Sequence, residues 1–76
     1  MEQFKGKIVA VIGKLPNYTR QGIRSRLLEL GVIPVQTVTC KTDYLIVGAR
    51  AGGKLAKART LGIPVLMEWE FEKMID

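Results

Sequence analysis

Lys7-Ile8-Val9-Ala10-Val11-Ile12-Gly13 is the stretch that decides the fold. Its five consecutive apolar residues, four of them β-branched, leave no polar face. Residues 7–12 therefore read as a strand covered on both sides, not as the alternating strand of a half-solvated sheet. Covering both faces of a strand takes helices on both sides, which is the arrangement of parallel α/β folds. Tyr44-Leu45-Ile46-Val47 repeats the pattern and stops at Gly48, and Ile63-Pro64-Val65-Leu66 repeats it after Gly62. Residues 32–38 read as a further strand, with Pro34 better tolerated at an edge than in a centre because proline lacks a backbone donor.

Helical signals fill the gaps. After the turn formers Gly13, Pro16 and Asn17, Thr19 is placed to cap a helix carrying Ile23, Leu27 and Leu30 at i, i+4, i+7, and Gly31 stands at its end. Gly52-Gly53 precede a helix over residues 54–61 with Leu55, Ala58 and Leu61 inward and Gly62 as its stop. From Glu68 a closing helix begins, with acidic residues that suit the positive end of its dipole. The expected order is strand–helix–strand–strand–helix–strand–helix, a four-stranded parallel α/β sheet with three helices in one domain over residues 1–76, without repeat or linker.

The 76 residues carry a net charge of +5, unevenly distributed. Residues 1–67 hold eleven Lys or Arg against Glu2, Glu29 and Asp43, a net of +8. Residues 68–76 hold Glu68, Glu70, Glu72 and Asp76 against Lys73, a net of −3. A basic body favours an anionic partner, nucleic acid or a phosphorylated chain, against the alternative of an ordinary solvated surface. No apolar run approaches the about 20 residues of a membrane span, and the first residues lack the apolar stretch of a signal peptide. Cys40 is the only cysteine, so no internal disulfide forms and a reducing, cytoplasmic setting is expected.

Catalytic equipment is sparse. Histidine is absent, and Cys40, with no base partner in sight, reads as a small buried or half-buried apolar group. Glu68, Glu70 and Glu72 are assigned solubility and dipole matching. Residues 48–54 resemble a phosphate loop, but Leu55 stands where the magnesium-binding hydroxyl belongs, and no dinucleotide fingerprint follows the first strand. The expectation is a module that is no enzyme on its own and needs neither metal nor cofactor.

What remains is basic. In parallel sheets ligands bind beyond the carboxyl ends of strands where the strand order reverses, and Gly13 and Gly48 at two such ends leave room for a ligand against the backbone. Lys54 opens a helix, with Lys57 one turn on; Arg20 and Arg24 begin the first helix beside Gly13 and Lys14. If the two loops converge, Gly13, Arg20, Lys54 and Lys57 surround one phosphate-sized pocket. Otherwise these are solvated surface cations.

At this point a resemblance emerges. Gly6-Lys7-Ile8-Val9-Ala10-Val11-Ile12-Gly13-Lys14-Leu15, then Thr19-Arg20 and Leu30-Gly31, then Lys41-Thr42-Asp43-Tyr44-Leu45-Ile46-Val47-Gly48, then residues 53–66 with Lys54-Leu55-Ala56-Lys57-Ala58 and Leu61-Gly62-Ile63-Pro64, and finally Glu70-Phe71, run over essentially the whole chain. Together they resemble the BRCT domain, in the form that closes bacterial NAD-dependent DNA ligases. The resemblance implies a sheet in the order 2-1-3-4, with the first and third helices on one face and the second on the other. Phosphate-binding members use a Ser or Thr and the next Gly at the end of the first strand and a Lys opening the second helix; a DNA-end-binding type adds an Arg in the first helix. By position these fall on Ile12, Gly13, Lys54 and Arg20. Ile12 departs from the pattern and forfeits a charge-assisted hydrogen bond of about 1.5–3 kcal/mol. Val32 replaces a frequent second glycine, and Phe71 stands for the usual Trp of the last helix, with Trp69 two residues earlier.

The leading expectation is thus a DNA-repair or replication module that contacts DNA ends, nicks or backbone phosphates through Gly13, Lys14, Arg20, Arg24, Lys54 and Lys57, without sequence preference. Other DNA-maintenance proteins are possible partners, and in a bacterium the setting would be the nucleoid. A protein-interaction or self-association module is the alternative, and a phosphopeptide reader stands third. Whether the chain is excised from a larger ligase or free-standing is left open.

Overall fold

A computed structural model describes residues 4–75; Met1-Glu2-Gln3 and Asp76, used above in the charge division and the leader reading, lie outside them. The elements are β1 (Ile8–Ile12), α1 (Arg20–Glu29), β2 (Ile33–Val35), β3 (Tyr44–Val47), α2 (Gly53–Thr60), β4 (Val65–Met67) and α3 (Glu68–Ile75). All strand pairs are parallel, and the sheet runs β2-β1-β3-β4.

Successive side chains of a strand point to opposite faces, so an all-apolar strand feeds two cores. Val9 of β1 and Ile46 of β3 join Leu15, Ile23, Leu27, Phe71 and Ile75 on the face covered by α1 and α3. Ala10, Ile12 and Leu45 meet Val38, Ala58 and Ile63 on the α2 face. Phe4 anchors the first core, edge-to-face with Tyr44 at 5.3 Å and with Phe71 at 5.7 Å. Each fully buried side chain of this size stabilises the fold by about 1.5–3 kcal/mol. The family-implied sheet order and helix placement are both present.

Both α1 and α2 end in the same backbone device. Gly31 donates to Leu28 and Val32 to Leu27; Gly62 donates to Arg59 and Ile63 to Ala58. These are Schellman caps, in which the residue after the left-handed glycine plugs back onto the helix. Val32 and Ile63 are buried there, 3% and 7% exposed. This corrects two strand boundaries: β2 begins at Ile33 and β4 at Val65, because Val32 and Ile63 belong to helix ends. β2 also stops at Val35 instead of residue 38, since it pairs with β1 only opposite residues 8–10. The Ile33 N–H donates to Lys7 O at 2.8 Å, so the next backbone nitrogen, that of Pro34, faces the open edge where no donor is needed.

Thr19 caps α1 as expected, its Oγ1 accepting from Gly22 N at 2.9 Å. Two side-chain expectations fail. Leu61 is 42% exposed instead of inward, because it occupies the C-cap of α2, whereas Leu55 packs against the α2-side core as expected. Cys40 is exposed, because it sits on the turn after the chain has left β2.

Candidate nucleic-acid interface

β1 and β3 are neighbours, yet the chain leaves β1 for α1 on one face and β3 for α2 on the other. Loops that part to opposite faces open a crevice at the carboxyl ends of the strands. Here they are first stitched together. Lys14 N donates to Ala49 O and Ala49 N to Lys14 O, both at 2.9 Å, and Gly48 N donates to Ile12 O at 2.8 Å.

This contact explains Gly13 and Gly48 differently from the sequence reading. A Cβ on Gly13, whose φ is +84°, would lie 2.5 Å from Ala49 O, and one on Gly48 would lie 2.3 Å from Lys14 O. The space that glycine leaves is filled by the opposing loop, not kept for a ligand. The glycines build the floor of the crevice.

Above that floor lies a groove of about 900 Å³, walled by the loop after β1, the first turns of α1, the loop after β3, the start of α2 and residues 34–36 at the end of β2. It is an open trough, far larger than the phosphate-sized pocket expected. Gly13, Lys14, Arg20, Arg24 and Lys54 all line it. Lys57 does not, although its charge and helix were read correctly: one further turn carries it away from the loops. Arg50, which sequence reasoning passed over inside the failed phosphate loop, does line it. Its basic type next to Gly48 was the available signal.

No Asp or Glu is among the lining residues. Among the described residues, none of the side chains of Lys14, Arg20, Arg24, Arg50 or Lys54 makes a hydrogen bond or ion pair; the ion pair present, Arg26–Glu29 at 3.4 Å, lies on the outer surface of α1. Ile12 also lines the groove but is 6% exposed and packed into the α2-side core, so it offers a ligand no polar atom.

The carboxylates of α3 do more than the solubility and dipole matching assigned to them. Glu68, only 7% exposed, accepts from both Asn17 N and Asn17 Nδ2 at 2.9 Å. Glu72 accepts from the Tyr18 hydroxyl. Burial first, then the hydrogen bond to Glu72 and its negative charge, push the Tyr18 phenol above its ordinary value of 10.0. Glu70 accepts from Met67 N at 3.0 Å, the reciprocal half of a capping box at the start of α3. Helix α3 thus holds the β1–α1 loop, one wall of the groove, from behind. Trp69, whose orientation the sequence left open, is 65% exposed, whereas Phe71 is fully buried.

The BRCA1 C Terminus (BRCT) domain family matches residues 1–75. The chain belongs to the BRCT family. Among proteins similar to this BRCT domain are DNA ligases from Clostridium botulinum, 49% identical over 72 residues, and Protochlamydia amoebophila, 52% identical over 68 residues. The matches cover 95% and 90% of this chain but 11% and 10% of those ligases. A ligase from Pediococcus pentosaceus is 51% identical over 67 residues, 88% of this chain and 10% of its own length. The BRCT domain therefore spans about a tenth of the relatives it matches, and it is a module of the kind that bacterial DNA ligases carry.

Proposed function

We propose that this BRCT domain is a non-catalytic DNA-binding module of a ligase-type repair or replication protein, contacting backbone phosphates at ends or nicks without sequence preference. The observation that carries this reading is the groove itself, in which five cations from two loops and two helices face one space with no carboxylate among them. Cations left unpaired by the fold favour a polyanion, and a trough of this size suits a run of backbone better than one phosphate. The buried Ile12 gives no hydroxyl to select a lone phosphate group. The contact residues in this reading are Lys14, Arg20, Arg24 and Lys54, with the backbone of Gly13 as the floor between them.

Fluorescence titration of nicked, 5′-phosphorylated and plain duplexes at about 50 and 200 mM salt tests it. With about four phosphates neutralised, affinity should fall roughly a hundredfold between the two salts and differ little with sequence. The Arg20→Glu/Lys54→Glu double variant should lose binding at both. Undiminished binding by the double variant would sink the reading.

A second reading has its own observation. Trp69 and Met67, 65% and 47% exposed, sit two residues apart where the edge strand β4 enters α3. They favour a protein-interaction or self-association surface away from the groove. In that case sedimentation would show assemblies that Trp69→Ala dissolves and the charge reversal leaves intact.

A further inference from the structure

Arg50 is the only non-glycine residue with positive φ among those described, at +61°. The other such positions, Gly6, Gly13, Gly31, Gly52 and Gly62, all use the residue that adopts this region without steric cost. Nothing within the fold compensates for an arginine there. Its side chain is exposed, belongs to neither core and has no hydrogen bond or ion pair among the described residues. A glycine would serve the backbone better in a loop that already uses glycine at 48, 52 and 53.

The location supplies the reason for keeping it. Arg50 follows Ala49, which two hydrogen bonds tie to Lys14 across the groove floor. Its Cα is therefore carried on a fixed base, and its side chain borders the groove that Arg20 and Lys54 also line. Backbone strain held in place by its surroundings is characteristic of residues retained for contact with a ligand. A guanidinium offers five donors in a planar fork that matches two oxygens of a phosphodiester.

We infer that Arg50 is a phosphate-gripping residue of the groove, held in a left-handed conformation that folding alone does not require. This rests on the reading of the groove as a DNA site. Removing the side chain and relieving the backbone together should move stability and binding in opposite directions. Arg50→Gly should melt no lower than the parent, bind nicked duplex about tenfold more weakly at low salt, and lower the log–log salt slope by about 0.9, the share of one phosphate. Arg50→Lys should recover most of the slope but not all of the affinity, since an ammonium cannot make the bidentate contact. Lys41→Ala, which removes a cation at the opposite end of the sheet, controls for net charge and should leave the slope within error.

Parent-like affinity and slope in Arg50→Gly, with the parent binding normally, would overturn this assignment alone. A melting temperature several degrees below the parent would overturn it too, by showing that the arginine serves the fold. Failure of the parent to bind DNA in a salt-dependent way would remove the groove reading and this inference with it.

Discussion

The groove and helix α3 stand back to back and use charge in opposite ways. In the groove, Lys14, Arg20, Arg24, Arg50 and Lys54 face outward with no protein partner for their side chains among the described residues. On α3, Glu68, Glu70 and Glu72 all accept hydrogen bonds from the protein, and Glu68 is almost completely buried while doing so. The acids are bound into the fold, and the bases are left without a protein partner among the described residues. Charged groups placed in this way divide stability from binding, because a variant on one side should disturb mainly one property.

The sharpest break of this contrast is Glu68→Ala. It leaves the Asn17 backbone and amide donors without their acceptor, which should destabilise the domain by about 2–3 kcal/mol, or roughly 10–20 °C in melting temperature. DNA affinity should fall only in so far as the β1–α1 loop loosens, and Glu68→Gln should recover much of the stability. A melting curve unchanged in Glu68→Ala would show that the clamp contributes nothing.

A smaller effect is expected from single cations, and here two lysines on one helix sharpen the comparison. Lys54→Ala should weaken DNA binding several-fold with stability within about 0.5 kcal/mol of the parent. Lys57→Ala, a turn away and outside the groove, should change affinity less than twofold in the same titration. Equal losses would mean that general charge governs binding and the groove does not.

The smallest effect concerns pH. The Tyr18 phenol has a folded-state value raised above 10.0, mainly by burial and then by Glu72. A group whose folded value is raised contributes stability that is complete below the unfolded value and lost as pH rises through the folded one. Stability should therefore hold below about pH 10 and decline above it. Tyr18→Phe should flatten that alkaline decline while lowering stability slightly at neutral pH, as read by denaturant titration from pH 8 to 11.

Much of the architecture was legible in the residues. β1 and β3 are unbroken apolar runs because both faces are covered, and Thr19 and Gly31 mark the ends of α1 through hydrogen bonds local to the chain. The starts of β2 and β4 were misplaced for one reason. Val32 and Ile63 look like the first residues of strands but serve as the buried plugs of helix caps, and apolar character is common to both roles. At the candidate site, residue type and loop proximity point to Lys14, Arg20, Arg24 and Lys54, which line the groove, whereas helical spacing adds Lys57, which does not line it. For Arg50 the basic type near Gly48 was legible, but its left-handed backbone leaves no mark in residue type.

Periodicity, caps and charge type therefore come from the sequence by itself: a parallel α/β domain, basic over most of its length, with cations at two loop–helix junctions. Tertiary structure alone decided which charges are engaged and what the loop glycines are for. Asn17 and Glu68 are 51 residues apart in the chain, and the stitch between Lys14 and Ala49 exists only because the sheet order sets β3 beside β1. Caps and helical stripes depend on neighbours within a turn of the chain, so they can be read along it. The partner of a buried carboxylate, or the backbone that fills the space beside a glycine, is set by packing between distant segments.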